Sequence, residues 1–255
     1  MLADCHTHLD RYPAPVRAAM LARAAAAGVG LVLVAGTSLA SSRRIVRLAA
    51  RLPLLRAGVG IHPLFVRRAV PERTYAALDL LAAAPAVVAW SELGLDYRAG
   101  PLPAAAQREV FRRQLLLARA RGLPAILHVV DAEADALAVL GETGMGGRAA
   151  IHYFVGDRAL AERCLRAGLC LSIGKPVTRP ENGALRAAVQ AVPLDRLLLE
   201  TDTYPLPGRT TEPRDVSAVA VAVAALRGLS AAQVARATSA NLARLLGDRW
   251  TSPLA

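Results

Sequence analysis

Eight times along its 255 residues the chain passes from a short apolar run into a stretch with helical patterning, and few folds accommodate that repeat. The apolar runs are Leu2–His6, Val29–Ala35, Leu55–Ile61, Ala86–Ser91, Ala125–Leu127, Ala149–Ile151, Leu169–Ile173 and Arg196–Leu199. Helical stretches follow them at Pro15–Ala27, Ala40–Arg51, Pro71–Ala84, Pro103–Arg121, Ala132–Leu140, Asp157–Ala167 and Glu181–Ala191, with Pro213–Leu226 and Ser230–Leu246 after the last run. Gly28, Gly122 and Gly168 stand where helices should stop, and Ser230 followed by Gln233 is a capping-box start. Runs that are apolar throughout, rather than alternating, belong to strands buried on both faces, as in a parallel sheet covered by helices. No linker or break in composition divides the repeat, so residues 1–255 are expected to form a single domain of the α/β class.

The polar residues choose between the two architectures that such a repeat allows. His6 and His8, His62, Glu92, His128, His152 and Asp202 fall at the C-terminal ends of runs one, three, four, five, six and eight, and the set contains all five histidines of the chain. A doubly wound sheet would spread these residues along a line. A (β/α)8 TIM barrel brings them to one mouth, where active sites of that fold are built. His6 and His8 are one residue apart, which on a strand of period two puts both imidazoles on one face as a metal clamp. Four imidazoles and two carboxylates exceed the needs of one tetrahedral ion. Mixed nitrogen and oxygen ligation suits zinc, manganese, iron, cobalt or nickel better than a lone magnesium. Two ions sharing one carboxylate would use the whole set, an arrangement suited to hydrolysis at phosphorus.

Composition narrows the partners less. The formal charge is +11, and all but one of the 31 basic residues are arginine, Lys175 being the exception. That balance fits a polyanionic partner, and equally a biased composition with charge spread over many helices. Cys5, Cys164 and Cys170, without a CxxC pair, point to a reducing compartment, and no leader or membrane-length apolar run is read, so a cytoplasmic protein without a membrane segment is expected. Cys5, alternating with His6, should point outward into the layer between barrel and helices. Trp90 and Trp250 are read as packing residues. Lys175 and Arg179 after strand seven, and Arg209 after strand eight, lie in loops where barrels often hold phosphate, with Tyr97 or Tyr204 available to stack a base.

Taken in order, the motifs are Asp4-Cys-His-Thr-His-Leu-Asp10, Gly60-Ile-His-Pro63, Ser91-Glu-Leu-Gly-Leu-Asp-Tyr97, Leu127-His128, Ile151-His-Tyr-Phe154, Leu171-Ser-Ile-Gly174, Glu200-Thr-Asp202 and Asn241-Leu-Ala-Arg-Leu245. Over essentially the whole chain this series resembles the TatD family of metal-dependent deoxyribonucleases, part of the amidohydrolase-type barrels. The resemblance implies two divalent ions per chain, zinc first, with manganese, nickel, cobalt or magnesium as alternatives. His6, His8, Glu92 and Asp202 would hold one ion and Glu92, His128 and His152 the second, with Glu92 as the bridge. Asp202 would also accept a proton from the attacking water, and His62 would face the substrate phosphate. The implied activity is removal of nucleotides from single-stranded DNA ends by a monomeric enzyme with no obligate protein partner. Four departures bear on the substrate side: Leu64 in place of a second histidine, Val129-Val130 in place of Ser-Arg, the spacing Asp202-Thr-Tyr-Pro205, and Thr210-Thr-Glu-Pro213 in place of Arg-Asn-Glu-Pro. They keep an alternative open, hydrolysis of a small-molecule amide, lactone or other ester on a similar metal shell.

Overall fold

The computed structural model describes residues 1–208 and 211–250. Eight parallel strands form one sheet in sequence order: β1 (Leu2–Thr7), β2 (Val29–Ala35), β3 (Leu55–Val59), β4 (Val87–Asp96), β5 (Ala125–Val130), β6 (Ala149–Ile151), β7 (Cys170–Ile173) and β8 (Leu197–Leu199). The last strand returns to the first through the bridge of Thr7 with Thr203, with the N–H of Asp202 donating to His6 O (3.0 Å) and that of His8 to Thr203 O (2.7 Å). The sheet is therefore a nearly closed (β/α)8 TIM barrel. Helices α1 (Ala14–Ala26), α2 (Leu39–Ala49), α3 (Glu72–Ala82), α4 (Ala104–Ala120), α5 (Glu133–Thr143), α6 (Arg158–Arg166), α7 (Gly183–Ala191) and α8 (Val216–Arg227) lie between and after the strands, followed by α9 (Ala231–Leu246). No single helix among the described residues is long and apolar enough to cross a membrane.

Strand period decides which residues fill which layer. Leu31, Leu33, Ile126, Ala150 and Leu198 pack together inside the barrel, and Leu242 and Leu246 of α9 close its base. Their neighbours Val32, Val34, Leu127, Leu197 and Leu199 face outward under the helices with Leu78, Phe111 and Val219. Trp90, expected as a packing residue, is fully buried in that outer layer. Asn241 ties α9 to the sheet: its buried amide donates to Leu194 O at 2.7 Å and Leu197 O at 2.8 Å. Replacing Asn241 with alanine strands two carbonyls and should cost about 2 kcal/mol, lowering the melting temperature by roughly 4–8 °C for a chain of this size. A thermal melt shifted by less than about 1 °C would show that water replaces both donors.

Several boundaries differ from the sequence reading, and three of them bear on the mouth of the barrel. The stretch expected as one helix from Pro213 begins with a 3-10 turn, Pro213–Asp215, because Glu212 and Asp215 cap each other's backbone before α8 starts. Strand β4 does not stop at Ser91 but continues to Asp96, with Glu92 as the extra residue of a bulge between Ser91 and Leu93. The continuation requires glycine at 94, since a Cβ there would lie 1.8 Å from His128 O on β5. Strand β5 in turn runs on to Val130.

A second irregularity, in β1 between Asp4 and Thr7, corrects the expectation for Cys5. The shift breaks strict alternation, so that Cys5 and His6 both face the interior. Cys5 packs with the inner cluster, its Sγ 3.0 Å from Ser172 Oγ, while His6 stacks on His152 with ring centroids 4.0 Å apart.

Candidate active site

At the C-terminal mouth of the barrel the five histidines, Glu92 and Asp202 come together, as their places at the ends of the apolar runs predict. His6 and His128 sit on strands, Glu92 on the β4 bulge, and His152 one residue past β6. His8, His62 and Asp202 lie just beyond strand ends, so His8 reaches the mouth from the turn after β1 rather than from the strand itself. Glu92 (φ 60°) and Asp202 (φ 48°) both hold the left-handed conformation. For residues other than glycine this costs about 1–3 kcal/mol each, and it turns both carboxylates into the mouth. Packing and the ladder on either side hold that strain in place.

Glu92 is the centre. His6 Nε2 lies 2.5 Å and His8 Nε2 3.4 Å from its Oε1, His152 Nε2 3.6 Å from the same oxygen, and His62 Nε2 2.9 Å from Oε2. His8 Nε2 is also 3.5 Å from Asp202 Oδ1. Three triads have ligand atoms all within 4.8 Å of one another: His6, His8 and Glu92; His6, His152 and Asp202; and His62, Glu92 and His128. Together these are the six expected ligands plus His62. The arrangement fits cations, because buried His6 Nδ1 and His8 Nδ1 make no hydrogen bond among the described residues. Such orphaned atoms are rare and costly unless they serve a ligand.

Two further carboxylates orient the imidazoles, as outer partners of metal-binding histidines do. Asp96 Oδ2 lies 3.2 Å from His128 Nε2, and its Oδ1 accepts the N–H groups of Arg98 (3.1 Å) and Ala99 (2.8 Å). Glu200 Oε1 lies 3.4 Å from His152 Nδ1 and accepts the Tyr153 N–H at 2.8 Å, while its other oxygen accepts the Ser172 hydroxyl. His62 is fixed differently. Its Nδ1 accepts the Leu64 N–H at 3.0 Å, which leaves the ring proton on Nε2, the atom facing the mouth. His62 thus presents a donor to the mouth, with Glu92 Oε2 2.9 Å away. Asp4 completes the frame, accepting from Thr201 N at 3.0 Å and Thr201 Oγ1 at 2.6 Å across the β1–β8 seam.

Charge is balanced by protons in the metal-free protein. Burial alone would raise Glu92, yet the imidazoles of His62 and His6 outweigh it and hold its carboxyl well below the usual range. Burial lowers His6 and His152, which favours the neutral, ligating form. Burial also pulls on His8, but Asp202 and Glu92 overcome it and raise His8 to about 10. The hydrogen bond from His128 draws Asp96 down to about 2, whereas burial lifts Glu200 to about 8. Because the His8 shift is upward, its contribution to apo-protein stability is complete below about pH 6.5 and is lost as pH rises through about 10. A cation must displace that proton, so metal loading at pH 8 should release close to one proton per chain. Calorimetric titration in buffers of different ionisation enthalpy reads this directly; proton-neutral loading would contradict it.

Arg11, Leu64, Phe65 and Tyr204 wall a cavity of about 250 Å³ above these ligands. Lys175 and Arg179 are not in that wall. They line a neighbouring cavity of about 320 Å³ with Tyr153, Leu206 and Gly208, and Arg209 lies outside the described residues. Tyr97 is turned away from the mouth, its hydroxyl donating to Asp135 on α5 at 2.6 Å, so of the two tyrosines only Tyr204 stands at the site. Asp10, next to the first motif, is an ion-pair partner of Arg44 at 2.8 Å. The sequence reading gave no role to Glu200 or Arg11. Period two from Asp202 along the strand end places Glu200 on the inward side and was the available signal for it. Arg11 carried none, being one arginine among 30.

Comparison with known proteins agrees with this construction. The family model "TatD related DNase" matches residues 3–247. The metal-dependent hydrolase TatD of Mycobacterium tuberculosis is 35% identical over 263 residues, spanning 98% of this chain and 99% of the relative. A protein named 3'-5' ssDNA/RNA exonuclease TatD from Cronobacter turicensis is 39% identical over 238 residues, covering 89% of this chain and 90% of the relative. The crystal structure of the TatD homologue YJJV from Escherichia coli superposes with a TM-score of 0.85 at 29% identity, over 96% of this chain and 97% of that one. The barrel is therefore shared with a TatD homologue of known structure, and the chain belongs to the TatD family of metal-dependent hydrolases.

Proposed function

We propose that this hydrolase removes nucleotides from the ends of single-stranded nucleic acid, DNA first, using two divalent ions held around Glu92. The observation that carries the proposal is the Glu92 carboxylate itself, ringed by four imidazoles, two of which keep a buried Nδ1 without a hydrogen bond. His6, His8, Glu92 and Asp202 would hold one ion and Glu92, His128 and His152 the other, with zinc the first choice for a nitrogen-rich set. Bound ions of this kind activate water near neutral pH and neutralise charge at phosphorus. Around them the chain's own groups divide the work. Asp202 is buried yet opens on the cavity, and burial, which alone would raise its carboxyl, is outweighed by the hydrogen bond with His8 that holds it low. It is therefore ionised and placed to take the proton of the attacking water. His62 Nε2–H donates to a non-bridging phosphate oxygen, its ring held by the Leu64 N–H. Asp96 and Glu200 keep His128 and His152 oriented.

The substrate class is supported by the exonuclease named among the relatives and by the small size of the catalytic cavity, about 250 Å³. Lys175 and Arg179 in the adjoining cavity, with Arg209 beyond the described residues, are the proposed holders of the terminal nucleotide's phosphate. The test is turnover of end-labelled single- and double-stranded DNA by metal-loaded protein, beside small phosphodiester and amide substrates.

A further inference from the structure

We infer that the strand upstream of the scissile phosphate leaves the mouth over Phe65 and runs along a groove between the start of α2 and the loop that joins β3 to α3. The inference rests on the single-strand exonuclease reading above and adds the path of the polymer. Phe65 is a large apolar side chain that is 50% exposed, and it sits on the rim of the catalytic cavity. On one side it walls the catalytic cavity, where its ring lies 5.8 Å from that of His62. On the other it walls a second cavity of about 260 Å³, lined also by Leu39, Val66, Arg67, Arg68 and Val70. Mouth and groove therefore share a wall at Phe65. Among the described residues, the Lys175–Arg179 cavity shares no lining residue with the mouth.

Charge follows the same path. The Arg11 guanidinium lies 5.8 Å from the centre of the Phe65 ring. Arg67 and Arg68 are exposed, and among the described residues neither they nor Arg11 have a carboxylate within ion-pair distance. An exposed aromatic face bordered by unpaired guanidinium groups is the chemistry that holds single-stranded nucleic acid without reading its sequence, bases stacking on the ring and phosphates meeting the cations. Phe65 would stack the base just upstream of the cut, and Arg67 with Arg68 would meet the next phosphate.

The experiment is steady-state kinetics of the metal-loaded full chain on single-stranded oligodeoxynucleotides of about two, three and ten units, a series chosen because phosphate contacts accumulate with length. Phe65→Ala should raise KM about tenfold or more on the longest substrate with little change in kcat, the size expected for one lost base stack. Phe65→Trp should restore it. The Arg67→Ala/Arg68→Ala variant should show a KM defect that grows from the dinucleotide to the trinucleotide. Its salt dependence should be shallower by about 0.7 per lost phosphate contact. If Phe65→Ala and the double variant keep the wild-type length dependence, the path is wrong while the exonuclease reading stands. Loss of that dependence in Lys175→Ala/Arg179→Ala instead would put the strand on the opposite side and overturn the inference. Wild-type protein that hydrolyses none of the oligonucleotides would remove the exonuclease reading, and this inference with it.

Discussion

Glu92→Gln should lower turnover by about three orders of magnitude or more, beyond the loss typical of one missing electrostatic contact. The amide has nearly the shape of the carboxylate, so packing around the β4 bulge is preserved while the charge is removed. That charge is what the surrounding imidazoles answer to, since His6, His8, His62 and His152 all approach within 3.6 Å of it. An amide has one oxygen and one N–H₂, so it cannot offer two anionic atoms to two cations. Metal content and rate should fall together, and the melting transition should stay cooperative. Elemental analysis after reconstitution, beside kcat, checks both; a variant retaining a full metal complement and activity within tenfold would remove Glu92 from the centre of the site.

Stripping the metal should abolish hydrolysis and spare the fold. The inner cluster around Leu33, Ile126 and Leu198, and the outer layer under the helices, contain none of the proposed ligands. A core of this size is stable without a metal staple, unlike that of a small zinc module. Chelated protein should keep its far-ultraviolet dichroism and melt cooperatively, a few degrees below the loaded form because bound ligand stabilises only the native state. Activity should return on adding about two equivalents of ion, as the proposed two-ion arrangement requires. Collapse of the cooperative transition on chelation would show that the ligand ring holds the barrel together.

Much of this was legible in the sequence because the two signals involved are independent of each other. Apolar runs report burial on both faces, and eight of them count out a barrel. Histidines placed at run ends report the mouth only if that barrel exists, so each signal supports the other. What stayed hidden depended on backbone irregularity. The inward turn of Cys5 follows from a register shift in β1, and the extension of β4 to Asp96 from a bulge at Glu92 with glycine at 94. Neither leaves a periodic trace. The positions of Tyr97 and Phe65 depended on partners distant in sequence, Asp135 for one and the Arg11 turn for the other. The tautomer of His62 was hidden too: it follows from the Leu64 N–H on its Nδ1, which leaves the proton on the Nε2 that lies 2.9 Å from Glu92 Oε2.

The central claim is that a two-ion site around Glu92 cuts single-stranded nucleic acid from its end. The most direct measurement is product analysis by gel of metal-loaded protein acting on single-stranded DNA labelled at its 5' end, with duplex DNA, single-stranded RNA, a small amide and a lactone run in parallel. The account predicts nucleotides released one at a time from an end, faster on single strands than on duplex and absent in Glu92→Gln. An intact oligonucleotide alongside ready cleavage of the amide or lactone would contradict it, and would assign this mouth to a small-molecule hydrolase.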